Sequence, residues 1–147
     1  MVKLQKIARR AAKRAPMEEI EACEITTEHG VFGDFRGKPG KRQVTVLSQE
    51  AWEQACCESG AHLSWTARRA NLLVTGLEFD ASFVGKVLQI GELQLVVTKE
   101  TVPCERMDEA HQGLRNALEN HWRGGVCCRV KNSGRVRLGD SVTVVDG

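Results

Sequence analysis

The sequence predicts a mainly β fold, similar to a β-barrel, with two or three short helices. Many short apolar runs with strand-like alternation are separated by turn residues such as glycine, proline and asparagine. The chain has no regular βαβ alternation and no G-x-G-x-x-G motif, which argues against a dinucleotide-binding fold. Its 147 residues are enough for one domain with its own hydrophobic core.

Residues 1–16 are predicted to form a basic helical arm that precedes a domain spanning residues 17–147. The arm carries six cations and no acid. Over residues 4–14 the apolar side chains have helical spacing, and Pro16 ends the segment. Such a charge run is typical of a solvated helix face, and it also suits a nucleic acid or an anionic surface as partner.

The first half of the domain alternates between strand and helix signals. Residues 17–27 are predicted as a strand, residues 29–42 as a loop rich in glycine and cations, and residues 43–48 (QVTVLS) as a strand. Ser48 is placed to cap the helix that follows. The buried stripe of that helix is predicted to consist of Ala51, Trp52, Ala55 and Cys56.

The second half contains the clearest strand signals. Residues 71–77 (NLLVTGL) are predicted as a strand, and residues 87–98 (VLQIGELQLVVT) as a hairpin that turns at Gly91. Apolar residues between Leu114 and Trp122 mark an amphipathic helix. The tail from residue 124 is predicted to form three short strands.

The composition limits where the protein works and what it binds. The sequence contains neither an apolar run long enough for a membrane span nor a secretory signal, so we expect a cytoplasmic protein. None of its six cysteines lies in a C-x-x-C pair, which argues against a zinc ribbon. In each vicinal pair, at 56–57 and 127–128, one cysteine is expected to pack inward. With four phenylalanines, three tryptophans and no tyrosine, nucleic acid is not the expected partner of the domain.

Cys104 is the leading candidate for chemistry. Pro103 cannot extend a β-ladder, so the strand should stop before it and leave Cys104 on a turn beside Arg106. A nearby cation favours the thiolate, which is the form that acts as nucleophile and metal ligand. The residues alone leave open whether this thiol is functional or an inert, packed side chain.

Two basic segments are candidates for anion binding. The glycine-rich loop allows a ligand to approach the backbone closely, and its cations suit phosphate; an ordinary surface loop is the alternative. A second segment precedes the strand at residue 72, where two arginines and an amide could hold a phosphate and a heterocycle edge, or form a salt bridge at the rim. The candidate residues are Gly33, Asp34, Arg36, Lys41, Arg42, Arg68, Arg69 and Asn71.

Taken in order, the motifs GVFGD, RRANLLVTGL, PC and RGGV resemble the MOSC domain, which is found at the C-terminus of molybdenum cofactor sulfurases. The resemblance extends from about Met17 to Val144 and suggests a stand-alone, bacterial-type member. It implies a β-rich barrel. Cys104 matches the characteristic cysteine of the family, Asn71 matches its asparagine, and Arg68, Arg69, Lys41 and Arg42 would face the pterin phosphate.

The resemblance implies two functions. In one, the protein binds the molybdenum cofactor with Cys104 as metal ligand, receives electrons from a transfer protein and reduces a small molecule such as an N-hydroxylated compound. In the other, Cys104 carries a persulfide received from a cysteine desulfurase, and pyridoxal phosphate is bound only by that partner. A third hypothesis, from the basic arm, is a non-catalytic module that binds an anion or nucleic acid. Whether the protein is an enzyme is left open.

Overall fold

Two β-sheets make up most of the computed structural model, which describes residues 1–147. The strands are β1 Lys3–Arg9, β2 Glu18–Ile20, β3 Ala22–Thr26, β4 Gly30–Val31, β5 Val44–Ser48, β6 Leu72–Thr75, β7 Val87–Ile90, β8 Leu93–Glu100, β9 Val126–Asn132, β10 Gly134–Arg137 and β11 Thr143–Val145. The helices are α1 Gln49–Ser59, α2 Glu105–Ala110 and α3 Leu114–Glu119. Single 3₁₀ turns lie at Trp65–Arg68, Ala81–Phe83 and Asn120–Trp122.

The larger sheet has eight strands in the order β11-β7-β8-β9-β5-β6-β1-β2, and the smaller has three in the order β10-β3-β4. Neighbouring strands are antiparallel except for the parallel pair β5 and β6. The predicted mainly β fold with two or three short helices is confirmed. The two sheets do not close into one continuous barrel, so the description as barrel-like is only a loose one.

The larger sheet buries apolar side chains on both faces, because consecutive residues on its central strands alternate between two cores. Val46 and Leu72 pack into a core of 21 buried residues that the two sheets share. Leu47 and Leu73, the next residue on each strand, pack into a second core of 11 residues with Trp52 and other side chains of the helices.

The helix predicted over residues 4–14 is wrong, because Lys3–Arg9 is a strand that pairs with both β2 and β6. A β-bulge between Leu4 and Lys6 shifts the register, so Leu4 and Ile7 both enter the larger core. The resulting three-residue spacing imitates a helical stripe. The cations are also less free than a basic arm requires, since Arg9 pairs with Glu18 and Arg10 is buried.

Other elements follow the sequence-based expectations with two differences. Ser48 caps α1 and accepts a hydrogen bond from the Ala51 N–H at 3.2 Å, and the hairpin turns at Gly91 as predicted. The amphipathic helix from Leu114 ends at Glu119 rather than Trp122, because His121 has a positive φ of 54°. Both Cys127 and Cys128 are fully buried, so the expectation that only one of this pair packs inward is wrong. None of the helices is both long and apolar enough to span a bilayer.

Candidate functional site

The Arg68 side chain joins two turns that are distant in sequence. Its Nε donates a hydrogen bond to the Gly124 carbonyl at 3.2 Å, and its Nη2 donates to the Thr101 carbonyl at 2.8 Å. Gly124 permits this approach, since a Cβ there would lie 2.4 Å from the Thr101 carbonyl oxygen and 3.1 Å from the guanidinium. Arg68 therefore fixes the turn after β8 against the turn before β9.

Cys104 lies at the end of the turn that Arg68 fixes. The strand β8 ends at Glu100, before Pro103 as predicted, and Cys104 is the residue that immediately precedes α2. Its backbone carbonyl accepts the Met107 N–H at 3.0 Å, whereas its thiol caps no helical N–H. The side chain is exposed and unpaired. The Cys104 thiol is thus free and exposed on a backbone that hydrogen bonds fix.

The electrostatics of Arg68 show which groups share its surroundings. Burial lowers the pKa of the Arg68 guanidinium, the thiols of Cys104 and Cys127 raise this pKa, and Arg42 lowers it again. Charges act on one another over such ranges only when they are close or poorly screened. Arg68 therefore links Cys104 to Arg42, which belongs to the glycine-rich loop.

Cys127 is a neighbour of the site, although the sequence suggested no role for it other than packing. It lies in β9, is fully buried, and its Sγ is 3.2 Å from the Thr101 Oγ1. Thr101 therefore contacts Arg68 through its carbonyl and Cys127 through its hydroxyl. No local signal in the sequence points to this contact, because Thr101 follows β8 while Cys127 lies in β9, and the two meet only in the folded protein.

The glycine-rich loop is held in place by Gln43, a buried residue that the sequence analysis did not single out. The Gln43 Nε2 donates to the carbonyls of Thr27 at 2.8 Å and Gly37 at 3.1 Å, and its Oε1 accepts the Val130 N–H at 2.9 Å. Gly37 comes so close to the His29 carbonyl that a Cβ would lie 1.6 Å from its oxygen. A polar side chain beside the apolar strand at residue 44 was the available signal.

One side of this loop forms a cation-lined cavity of about 430 Å³. Four cations and no acid contribute to its lining, so its electrostatic potential favours an anion. The structure thus brings the predicted residues Arg36, Lys41 and Arg42 to one surface. The lining residues are Phe35, Arg36, Lys38, Pro39, Gly40, Lys41 and Arg42.

Gly33 and Asp34 lie where the loop meets the end of β1. The Asp34 carboxylate accepts the backbone N–H groups of Arg10 at 3.0 Å and Arg36 at 3.3 Å. Gly33 has a φ of +84°, and a Cβ there would lie 3.0 Å from the Arg9 guanidinium. In this structure the two residues shape the loop, and the Asp34 carboxylate is already engaged by the backbone.

Arg69 and Asn71 point into the protein rather than toward the cation-lined cavity. Asn71 is buried; its Oδ1 accepts the Thr45 N–H at 3.1 Å and its Nδ2 donates to the Ala8 carbonyl at 3.2 Å. It therefore ties β6 to β5 and β1. Arg69 has a φ of +63° and donates to the Ala15 carbonyl, while its Nε is buried without a hydrogen-bond partner.

Several solved structures have the same fold at low sequence identity. The YuaD protein from Bacillus subtilis is 18% identical with a TM-score of 0.81, and the match covers 100% of this chain and 97% of that one. YiiM from Geobacillus stearothermophilus is 16% identical with a TM-score of 0.79, covering 99% and 76% of the two chains. YiiM from Escherichia coli is 16% identical with a TM-score of 0.74, covering 99% and 70%. No curated protein matches the chain.

The sequence itself matches a family model. The MOSC domain model aligns with residues 27–143, which include the glycine-rich loop, Arg68 and Cys104. This match covers most of the chain and confirms the resemblance seen in the motifs. The chain belongs to the MOSC domain family.

Proposed function

We propose that this MOSC protein binds a molybdenum cofactor, with Cys104 as the ligand of the metal. The observation that carries the proposal is the exposed, unpaired Cys104 thiol on a turn that the half-buried Arg68 fixes. The charge of Arg42, which lines the cation-rich cavity, also lowers the pKa of Arg68. The proposal therefore assigns the soft ligand and the anion site to one cofactor.

The residues present fit such a cofactor. A thiolate is a soft ligand that suits a transition metal such as molybdenum. Four cations around one cavity suit the phosphate of a pterin. The chain has no cluster of three or more His, Cys, Asp or Glu side chains that could hold a metal ion. The protein would therefore supply one metal ligand, and the remaining ligands would come from the cofactor.

Each residue would then have a defined task. The bound cofactor would supply two-electron redox chemistry, for which N-hydroxylated compounds are candidate substrates. Cys104 would fix the metal at the mouth of the site, and Arg68 would keep the Cys104 turn in place through Thr101 and Gly124. Lys41 and Arg42 would hold the phosphate. Gln43 would maintain the shape of the loop that carries these cations.

The exposure of the Cys104 thiol also favours a second candidate function, that of a sulfur carrier. The Cys104 thiolate would attack the outer sulfur of a desulfurase persulfide. The S–S bond of the donor would break, the donor would leave as a thiolate, and Cys104 would keep the sulfane sulfur as a persulfide. This transfer exchanges one S–S bond for another and requires no additional oxidant or reductant. It needs a thiol that a partner protein can reach.

The test is the content of molybdenum and pterin per chain after expression in a host that makes the cofactor. We expect near-stoichiometric metal and pterin in the wild type, and less than about a tenth of that metal in Cys104→Ser, because an alcohol is a far weaker ligand for a soft metal. Cys57→Ser is the matched control, since Cys57 is also exposed but lies on α1. It should load like the wild type.

Two results would contradict the proposal. Equal metal content in Cys104→Ser and wild type would exclude Cys104 as the required ligand. A well-folded wild-type protein without metal or pterin would exclude cofactor binding and favour the sulfur carrier. In that case, intact mass after incubation with a cysteine desulfurase and cysteine should show one added sulfur, which Cys104→Ser lacks.

A further inference from the structure

Cys127 is a buried thiol in polar surroundings. It is fully buried in β9, yet it belongs to neither apolar core, whereas the adjacent Cys128 packs into the larger one. Its register partners are Thr45 on β5 and Lys99 on β8, and its Sγ lies 3.2 Å from the Thr101 Oγ1. Packing against apolar side chains therefore explains Cys128 but does not explain Cys127.

The turn that leads to Cys104 lies directly against the chain that leads to Cys127. The Thr101 hydroxyl contacts the Cys127 thiol, and a Cβ on Gly124 would lie only 3.3 Å from the Pro103 Cδ. Cys104 is the residue that follows Pro103. The exposed thiol and the buried thiol therefore belong to two segments that pack against each other.

The surroundings of the two cysteines suit thiolate chemistry. The Arg68 guanidinium donates a hydrogen bond to the Thr101 carbonyl at 2.8 Å, which places a cation beside the turn. A nearby cation and a hydroxyl that donates a hydrogen bond both favour a thiolate. Cys104 is exposed and caps no helical N–H, so an oxidant can reach its thiol. An exposed, reactive cysteine beside a second cysteine is typical of a redox-active pair.

We propose that Cys104 and Cys127 form a reversible disulfide, in which Cys104 reacts with a peroxide and Cys127 resolves the product. The Cys104 thiolate attacks one peroxide oxygen, the O–O bond breaks, and Cys104 becomes a sulfenic acid while hydroxide leaves. The Cys127 thiol then attacks the Cys104 sulfur, an S–S bond forms, and the sulfenic oxygen leaves as water. The peroxide is the only oxidant required, because it accepts both electrons that the two thiols lose.

Closing the disulfide requires movement of the turn rather than of β9. The Cα atoms of a disulfide lie within about 7 Å of each other. Cys127 is fixed by backbone pairing to β5 on one side and β8 on the other, whereas Cys104 lies between the end of β8 and a helix of six residues. The disulfide would withdraw Cys104 from a bound metal, and only this consequence rests on the proposed function.

The first test oxidises the cofactor-free protein with hydrogen peroxide, followed by alkylation in denaturant and non-reducing peptide mass spectrometry. We expect the wild type to lose two of its six thiols and to give a linked peptide pair that joins Cys104 to Cys127. Reduction with dithiothreitol should restore both thiols. Cys128→Ala is the matched control, because it removes the neighbouring thiol that packs into the apolar core. It should form the same disulfide.

The variant Cys127→Ser tests the resolving role. A serine keeps a hydroxyl near Thr101 but cannot resolve a sulfenic acid. Dimedone, which traps sulfenic acids, should label Cys104 about tenfold more in this variant than in the wild type, because a neighbouring thiol competes with the reagent at high effective concentration. With excess peroxide, Cys104 of the variant should reach the sulfinic acid, which dithiothreitol does not reduce, while the wild type recovers its thiols.

Three results would overturn the proposal. They are a wild-type protein in which peroxide links no Cys104 peptide to a Cys127 peptide, a disulfide that joins Cys104 to Cys57 or to a second copy instead, and equal dimedone labelling of Cys127→Ser and wild type. Should Cys127→Ser fail to fold, the linked peptides of the wild type decide. Metal and pterin content of the reduced protein, measured separately, shows whether cofactor binding itself has failed.

Discussion

Cysteines occur in two regions that differ sharply in structure. Cys104 lies on the turn between β8 and α2, where its thiol is exposed and makes no helix-capping bond. Cys127 and Cys128 lie in β9 between β8 and β5, and both are fully buried. Burial raises the pKa of the Cys128 thiol far above its ordinary value. The comparison shows that the local backbone, rather than the residue type, separates an exposed thiol from a packed one.

The two regions are nevertheless connected. Thr101 contacts Cys127 through its hydroxyl and accepts a hydrogen bond from Arg68 through its carbonyl. Burial lowers the pKa of the Arg68 guanidinium, and both Cys104 and Cys127 act on this pKa in the opposite direction. The exposed thiol is therefore positioned by a turn that rests on the buried one. The Cys127 side chain, which is buried in β9, therefore also contacts the turn that positions Cys104, at Thr101.

The largest expected difference between the buried and the exposed cysteines is in the free energy of unfolding. Cys128→Ser should lower the free energy of unfolding by about 2 kcal/mol, because it buries a hydroxyl that lacks a prepared partner. Cys104→Ser should change the same quantity by less than about 0.5 kcal/mol, since the side chain is exposed. Urea denaturation of both variants measures the difference. Equal losses of stability would remove the distinction between the two regions.

A smaller effect concerns alkaline pH and Cys23, a third buried thiol. Burial raises the pKa of Cys23 to about 11 from an ordinary value of 9.0. Between these values the unfolded chain loses this proton and the folded chain keeps it. The corresponding stability is therefore fully present below about pH 9 and is lost as the pH rises toward 11. Urea denaturation at pH 8 and pH 10.5 should show this loss in the wild type.

The matched variants are Cys23→Ala and Cys57→Ala. Cys23→Ala should lose less stability than the wild type between the two pH values, because one buried thiol no longer titrates. Cys57→Ala should behave like the wild type, since Cys57 is exposed. An unchanged pH response in Cys23→Ala would show that burial of this thiol does not contribute to alkaline unfolding.

The sequence predicted those features that depend on neighbours along the chain. Pro103 placed Cys104 on a turn, and alternation of apolar residues located β5, β7 and β8 correctly. The N-terminal strand was misread because its β-bulge spaces Leu4 and Ile7 as a helix would. Single-sequence periodicity cannot separate these cases, since both place the two side chains on one face.

Features that depend on contacts between residues distant in the chain could not be predicted from the sequence. The Gln43 side chain supports the loop by bonding to Val130, 87 residues away. The backbone of Arg10 contacts Asp34 and Phe35 only when the glycine-rich loop folds over the end of β1. Arg68 was expected to face a phosphate, whereas two of its nitrogen atoms bind the carbonyls of Thr101 and Gly124. These roles follow from which strands are neighbours, and a local pattern does not contain that information.

The most direct test of the account is alkylation of Cys104 with and without bound cofactor, followed by peptide mass spectrometry. In the cofactor-free protein, iodoacetamide should modify Cys104 and Cys57, which are exposed, and spare the buried Cys127 and Cys128. In protein loaded with molybdenum and pterin, Cys104 should be protected while Cys57 still reacts. Modification of Cys104 at the same rate in both samples would contradict its role as the metal ligand.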